Sequence, residues 1–133
     1  MRLILTFLIV AAAIIDLVIG IGFFLNPVSA GSDFGLVPAG EQGRAVLRAD
    51  MTAFFITAAI FMVWGAWKRR GDLLLVPIAL FGVAFIGRGL SAVVDGTYDG
   101  WWLPMLVEAA HVIVLAYARL ALPHHRVEET GEA

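Results

Sequence analysis

The sequence lacks cysteine altogether and is poor in charged residues. With no cysteine among its 133 residues, disulfide bonds, thiolate nucleophiles and cysteine-ligated metals are excluded. Charged side chains make up 15% of the chain, whereas a typical soluble domain has about 25%. The formal net charge is −2, so the chain has no basic surface of the kind that binds nucleic acid, and we expect no nucleic-acid partner.

Apolar residues are abundant and fall into long runs. They make up 61% of the chain, and the mean hydropathy is +0.91. The runs cover residues 3–25, 45–67, 73–94 and 101–122. Each is close to the ~20 residues that a helix needs to cross a bilayer. We therefore predict an all-α integral membrane four-helix bundle, formed by one domain over residues 1–122 and followed by a polar cytoplasmic tail at 123–133.

The first apolar run could be a cleaved signal peptide or a retained helix. Met1 and Arg2 give it a positive start, as in signal peptides. However, the run is much longer than the roughly 7–15 apolar residues of a signal peptide, and Asp16 lies inside it. We expect a retained helix.

The distribution of basic residues predicts the orientation in the membrane. Lys68, Arg69 and Arg70 lie between the second and third runs, which places that loop in the cytoplasm. Both termini then face the cytoplasm, and the loops after the first and third runs face outward. Short loops and the lack of cysteine are compatible with a multi-pass protein of a bacterial inner (plasma) membrane, with the lipid bilayer as its surroundings.

Ionisable residues fall inside all four predicted membrane helices: Arg48 and Asp50 lie in the outer first turns of the second, and Asp16, Arg88 and Glu108 lie deeper in the others. Each of the deeper residues costs about 2.5–3.5 kcal/mol on insertion scales, so such residues are rarely left without a partner. At 1.5 Å per residue, Arg88 and Glu108 lie roughly 9 Å below the outer helix ends and Asp16 roughly 12 Å. His111 lies one turn deeper than Glu108. The shared depth predicts one polar pocket that opens outward over an apolar floor.

Helical spacing suggests which side chains line this pocket. Arg88, Ser91 and Asp95 are spaced to lie on one helical face, as are Glu108 and His111. Arg48 lies in the first turns of the second run. We predict a ligand pocket centred on Arg88 and Glu108, with these further members: Asp16, Arg48, Ser91, Asp95 and His111.

Metal and cofactor sites are not predicted. Glu108 and His111 have the Glu-x-x-His spacing of di-iron bundles, but those sites need a second copy and two further glutamates. No glycine-rich phosphate loop or catalytic triad order is present, so neither a cofactor nor catalytic residues are identified. We interpret five glycines within the runs as small residues that allow close helix packing: Gly20, Gly22, Gly82, Gly87 and Gly89.

The first outward loop, residues 26–43, is long and has an apolar centre at Phe34, Leu36 and Val37. Long connections without secondary structure of their own are often functional. We expect the loop either to lie on the membrane or to cap the pocket, and a disordered loop is the alternative.

Several of these residues resemble a known group of proteins. They are Arg48-Ala49 at the start of the second run, Gly87-Arg88-Gly89-Leu90-Ser91 with Asp95-Gly96, and Glu108. The chain resembles, over roughly residues 5–120, the small four-helix bacterial membrane proteins of the DoxX-like group, especially a related family of unknown function. The resemblance implies the same four-span fold and importance for Arg48, Arg88, Asp95 and Glu108. It implies no particular activity.

Three classes of function remain open. The pocket could bind a small amphiphile or lipid, with a polar head above an apolar floor. The chain could instead be an accessory subunit of a larger membrane complex, or a homo-oligomer. It could also be a membrane enzyme, with Glu108, His111 and Asp16 as acid–base groups. Under any of these, Arg88 and Glu108 could still be an ion pair that only orders the helices.

Overall fold

The computed structural model of the protein describes residues 2–122. The predicted tail at 123–133 lies outside these residues. Within them the chain is all-helical, without strands. The elements are helix α1 (Arg2–Leu25), helix α2 (Pro27–Asp33), helix α3 (Gly40–Val46), a π-helical segment (Leu47–Met51), helix α4 (Thr52–Lys68), a 3-10 turn (Gly71–Leu74), helix α5 (Leu75–Val94) and helix α6 (Trp102–Ala121).

Four helical stretches of the described chain are long and apolar enough to cross a membrane: 3–25, 40–68, 71–94 and 102–121. This confirms the prediction of an all-α chain with four such helices. The second stretch begins at Gly40 rather than at residue 45, because α3 runs through the π-helical segment into α4 without a break. The third begins earlier than predicted, with the 3-10 turn at Gly71.

The four long helices form a closed ring in which each contacts two others. α1 packs against α4, α4 against α5, α5 against α6, and α6 returns to α1. The α1–α4 and α5–α6 pairs are the closest, and the α6–α1 seam is more sparsely packed. The ring has two ends: the Leu25 end, where α1 and α5 finish, and the Lys68 end, where α4 finishes.

All four helices contribute to one apolar core. Small residues of α4 allow the neighbouring helices to approach closely, since Ala58 and Ala59 are almost fully buried. The remaining core members come from every long helix and from the 3-10 turn: Ile9, Ala13, Met62, Ala66, Leu74, Phe81, Leu115 and Ala118. This core lies toward the Lys68 end, and a second, smaller buried cluster, formed by Phe23, Leu47 and Phe55, lies toward the Leu25 end.

At the Lys68 end, a short turn joins α4 to α5. Arg69 closes α4 in the left-handed conformation, with φ of 52°, and the backbone N–H of Arg70 donates to the carbonyl of Gly65. Gly71 follows, and a Cβ added there would lie 2.6 Å from the backbone oxygen of Arg119. Only glycine lets this turn lie so close to α6, so the turn brings the start of α5 against α6.

At the Leu25 end, the predicted long loop is partly helical. The side chain of Asn26 accepts a hydrogen bond from the backbone N–H of Ser29 and so caps α2. Phe34 then packs against Phe23 and Phe55, at ring-centroid distances of 5.3 and 5.9 Å. The loop is therefore anchored to α1 and α4 by its aromatic residue, rather than disordered.

The glycines that were predicted to allow close packing divide into two groups. A Cβ on Gly20 would lie 2.9 Å from the side chain of Ile56, so this position does bring α1 and α4 together. At Gly82 and Gly87 of α5 a Cβ would meet nothing within 4 Å. Gly82 and Gly87 therefore make no close contact with the other described helices, and their role in packing stays a prediction.

Candidate functional site

Arg88 and Glu108 form an ion pair between α5 and α6. The Arg88 Nε donates to Glu108 Oε1 at 2.6 Å. The Glu108 side chain is 8% exposed and that of Arg88 38%. The second carboxylate oxygen, Glu108 Oε2, is buried and has no hydrogen-bond partner among the described residues. Each residue lies six positions from the Leu25 end of its helix, roughly 9 Å, which explains why they meet.

Asp16 and His111 form a second pair, between α1 and α6. His111 Nε2 lies 3.5 Å from Asp16 Oδ2, and the two side chains are 10% and 3% exposed. Both residues lie nine positions from the Leu25 end of their helices, roughly 13 Å. The second pair therefore lies about one helical turn below the first, and α6 contributes one residue to each.

The hydrogen bond of the other imidazole nitrogen, Nδ1, determines which tautomer His111 adopts. The tautomer in turn determines whether His111 can donate a hydrogen bond to Asp16. His111 Nδ1 is 2.8 Å from the backbone oxygen of Val107. A carbonyl oxygen only accepts, so Nδ1 carries a hydrogen. In the neutral ring Nε2 is then an acceptor, and it faces a carboxylate oxygen that is also an acceptor. Neither atom has a hydrogen-bond partner among the described residues. The pair therefore requires an added proton or a donor from another molecule.

Aromatic packing holds the imidazole in place. The ring of His111 stacks on Phe81, with centroids 4.1 Å apart and planes inclined by 30°. Phe81 in turn meets the edge of Phe54, at 5.4 Å. Because Phe81 is buried in the core, the imidazole has little freedom to turn away from Asp16.

An apolar cavity of about 160 Å³ adjoins His111 in the α6–α1 seam. Its walls come from α1 and α6, with one residue of α4. Apart from His111 the lining is apolar: Leu8, Ile9, Ala12, Met62, Ala110, Val114 and Leu115. The cavity extends from His111 toward the Lys68 end, so one member of the second pair borders apolar space.

The structure separates the other predicted pocket residues from these two pairs. Arg48 is exposed, and its Nε donates to the backbone oxygen of Phe24 at 3.0 Å, at the end of α1. Ser91 and Asp95 are exposed. Their side chains have no hydrogen bond or ion pair with the described residues. Four of the seven predicted residues, namely Arg88, Glu108, Asp16 and His111, thus form the buried cluster.

Two structural features were not predicted, one outside the cluster and one within it. Arg48 belongs to the π-helical segment, a type of irregularity that is frequent at functional sites, and nothing in the sequence pattern indicates it. Phe81 was not singled out either, because an aromatic residue in an apolar helix is ordinary. The bond from His111 to Val107 was predictable, since residues four apart are neighbours on a helix.

The fold and the cluster together define a class: an all-α chain with four membrane-length apolar helices and buried ionisable pairs between them. Comparison with protein-family models, with curated proteins and with solved structures gave no significant match. Within residues 2–122, no group of three or more His, Cys, Asp or Glu side chains is placed to hold a metal ion.

Proposed function

We propose that the protein is a multi-pass integral membrane protein of the DoxX-like group, in a bacterial inner membrane, with the Lys68 end and both termini in the cytoplasm. Lys68, Arg69 and Arg70 support this orientation. In each long helix, only 17–22% of the most apolar 18-residue window is buried within the protein. So much exposed apolar surface is unfavourable in water and suits lipid.

Within this membrane, the function that the geometry supports best is the binding of a small amphiphilic molecule. The observation that carries this proposal is a set of buried polar atoms that have no hydrogen-bond partner among the described residues, in a cluster whose His111 lines an apolar cavity. Those atoms are Glu108 Oε2, Asp16 Oδ2 and His111 Nε2. Because buried polar groups are normally hydrogen-bonded, unpartnered ones in a cluster that borders a cavity support the binding of a polar group there.

Native mass spectrometry of the protein, extracted gently from its own membrane, tests this proposal. We expect a bound small molecule on the unaltered protein. Glu108→Gln and Asp16→Asn should each lose the bound mass while keeping helicity and a single size-exclusion peak. Asp99→Asn is the matched control, because Asp99 is an exposed acidic residue in the turn before α6, and it should retain the ligand.

The result that would overturn ligand binding is the absence of any small bound mass from the unaltered, folded protein. A bound mass that persists in both Glu108→Gln and Asp16→Asn would place the ligand elsewhere. Either outcome would leave the two pairs as contacts that order the helices.

An accessory-subunit role is the second candidate, and one observation favours it. α5 carries Gly82 and Gly87 at positions that no other described residue covers. Small residues on a membrane helix permit close approach of another helix. If this role is correct, the same mass spectra should show a protein partner or a second copy in fixed stoichiometry, and Gly87→Leu should remove it.

A further inference from the structure

We propose that the cluster selects a lipophilic primary amine, whose ammonium group takes the place of a proton between Asp16 and His111 while its apolar tail enters the α6–α1 cavity. This inference rests on the proposed function and specifies the ligand's chemical class. It follows from charge balance, from the balance of hydrogen-bond donors and acceptors, and from the shape of the cavity.

The charge balance of the cluster favours a cation. Arg88 is positive, Glu108 and Asp16 are negative when ionised, and His111 is neutral in the tautomer that donates to Val107. The four side chains then carry one excess negative charge. A buried uncompensated charge is strongly unfavourable, so the site requires one positive charge, either as a proton or as a cationic ligand.

The hydrogen-bonding atoms of the cluster favour an ammonium group over other cations. Asp16 Oδ2, His111 Nε2 and Glu108 Oε2 are all buried acceptors that receive no hydrogen bond from the described residues. An ammonium offers three donors and no acceptor. Asp16 Oδ2 and His111 Nε2 are 3.5 Å apart, so one nitrogen atom placed beside them is within hydrogen-bond distance of both. A quaternary ammonium supplies charge but no N–H, and an alcohol supplies one donor but no charge.

The cavity favours an organic tail. Seven of its eight lining residues are apolar, which excludes a hydrated inorganic ion from the space below the pair. Its volume of about 160 Å³ is smaller than the roughly 300–1,000 Å³ of typical drug-sized pockets. A short linear alkyl chain lying between α1 and α6 suits these dimensions better than a ring system or a branched molecule.

Charged groups on the neighbouring helices do not supply the missing cation. Thr52–Lys68 of α4 contains no ionisable side chain except Lys68 at its far end. On α5 the nearest cation is Arg88, whose Nε is already bonded to Glu108. Arg119 of α6 lies two turns beyond His111, toward the Lys68 end. A proton or an external amine therefore remains the source of the balancing charge.

The test compares four probes with the same six-carbon chain on the full-length protein in neutral phosphatidylcholine nanodiscs. The probes are hexylammonium, hexyltrimethylammonium, hexanol and hexanoate. Binding is measured by the shift in thermal unfolding and by calorimetry in two buffers of different ionisation enthalpy, which reports released protons.

We expect only hexylammonium to bind, with release of a proton. At pH values where the Asp16–His111 pair holds a proton, the affinity for hexylammonium should fall by up to about tenfold for each unit by which the pH is lowered. The reason is that the proton and the amine compete for the pair. The amine itself stays charged there, because its pKa is about 10.4.

Two variants separate the polar from the apolar part of the site. Asp16→Asn removes the carboxylate charge and should weaken hexylammonium binding by roughly tenfold or more. Ala12→Leu fills the cavity without altering the pair, and it should also abolish binding. Asp99→Asn should bind like the unaltered protein. Folding of each variant is checked by helicity and by its own unfolding transition.

Each outcome distinguishes this inference from the proposed function. Binding of hexanol, hexanoate or hexyltrimethylammonium as tight as that of hexylammonium, and sensitive to Ala12→Leu, would retain amphiphile binding but overturn the choice of an amine. Hexylammonium binding that is unaffected by Asp16→Asn would overturn the proposed contact with the pair. No binding of any probe, together with no small mass on the native protein, would overturn both proposals.

Discussion

The two carboxylate oxygens of Glu108 are in different situations. Oε1 accepts a charged hydrogen bond from Arg88, whereas Oε2 is buried with no partner among the described residues. Asp16 likewise has one oxygen facing His111 and no donor for it. A pair that only ordered the helices would be expected to satisfy its buried atoms, because leaving them unpaired costs stability. These two residues thus combine a structural contact with unused hydrogen-bonding capacity.

A double-mutant cycle on Arg88 and Glu108 tests whether the pair stabilises the fold. Glu108→Gln should lower the free energy of unfolding by roughly 1–3 kcal/mol, less than for a fully buried pair because Arg88 is partly exposed. Adding Arg88→Met should recover part of this loss, since no unpaired guanidinium then remains. Unfolding by SDS in mixed micelles, followed by helicity, provides the measurement.

Glu41→Gln is the matched control for that cycle. Glu41 pairs with Arg44 in an exposed i, i+3 arrangement near the Leu25 end, so its loss should change the free energy of unfolding by less than about 0.5 kcal/mol. If the losses from Glu108→Gln and Arg88→Met simply add in the double variant, the two side chains are not energetically coupled.

Among the elements, α6 connects the two pairs. Glu108 and His111 are three residues apart, on one face of α6, and they contact α5 and α1 respectively. The position of α6 therefore determines whether the pairs form at all. That position depends on the turn at the Lys68 end, where Gly71 lies against the backbone of Arg119.

A glycine-to-alanine comparison tests this dependence. Gly71→Ala should lower the free energy of unfolding by roughly 1–3 kcal/mol, because its Cβ would overlap the backbone oxygen of Arg119 and displace α6. Gly82→Ala on α5 meets only open space, and it should raise stability by up to about 1 kcal/mol through higher helix propensity. SDS unfolding of the two variants side by side is the measurement. Equal effects would contradict the close approach at Gly71.

At the scale of the whole molecule, the helices have an apolar core and also a largely apolar outer surface, unlike those of a soluble protein. Large apolar side chains such as Phe7, Val83 and Leu120 are mostly exposed, while Asp16 and Glu108 are buried. The ring of helices thus encloses two carboxylates within an apolar interior and exposes many large apolar side chains on its outside. This distribution agrees with the proposal that lipid surrounds the bundle, and the direction of insertion can be tested separately.

Single-cysteine labelling tests the proposed orientation, and it is unusually clean because the chain has no native cysteine. Asp99→Cys, at the Leu25 end, should react with a membrane-impermeant maleimide in intact spheroplasts. Arg70→Cys, at the Lys68 end, should react only after lysis, and Lys68 and Arg69 remain to orient the loop. The reverse pattern would place the site in the cytoplasmic half of the membrane.

The sequence by itself determined the four membrane-length helices and the residues that must find partners. Helix length and hydropathy are local properties, and an ionisable residue inside an apolar helix is costly wherever it lies. The predicted boundaries therefore differ from the observed helix ends by a few residues at most, except at the start of the second helix. Asp16, Arg88, Glu108 and His111 were identified for the same reason.

Only the tertiary structure decided which of these residues meet. It paired Arg88 with Glu108 and Asp16 with His111, and it directed Arg48 to the end of α1 instead. It also determined which glycines lie at contacts. The physical reason is that helices that are apolar on nearly every side have no marked face to indicate their rotation or their neighbours. The rotation of each helix and the identity of its neighbours are set by side-chain packing around the ring, through contacts between residues that are far apart in the sequence.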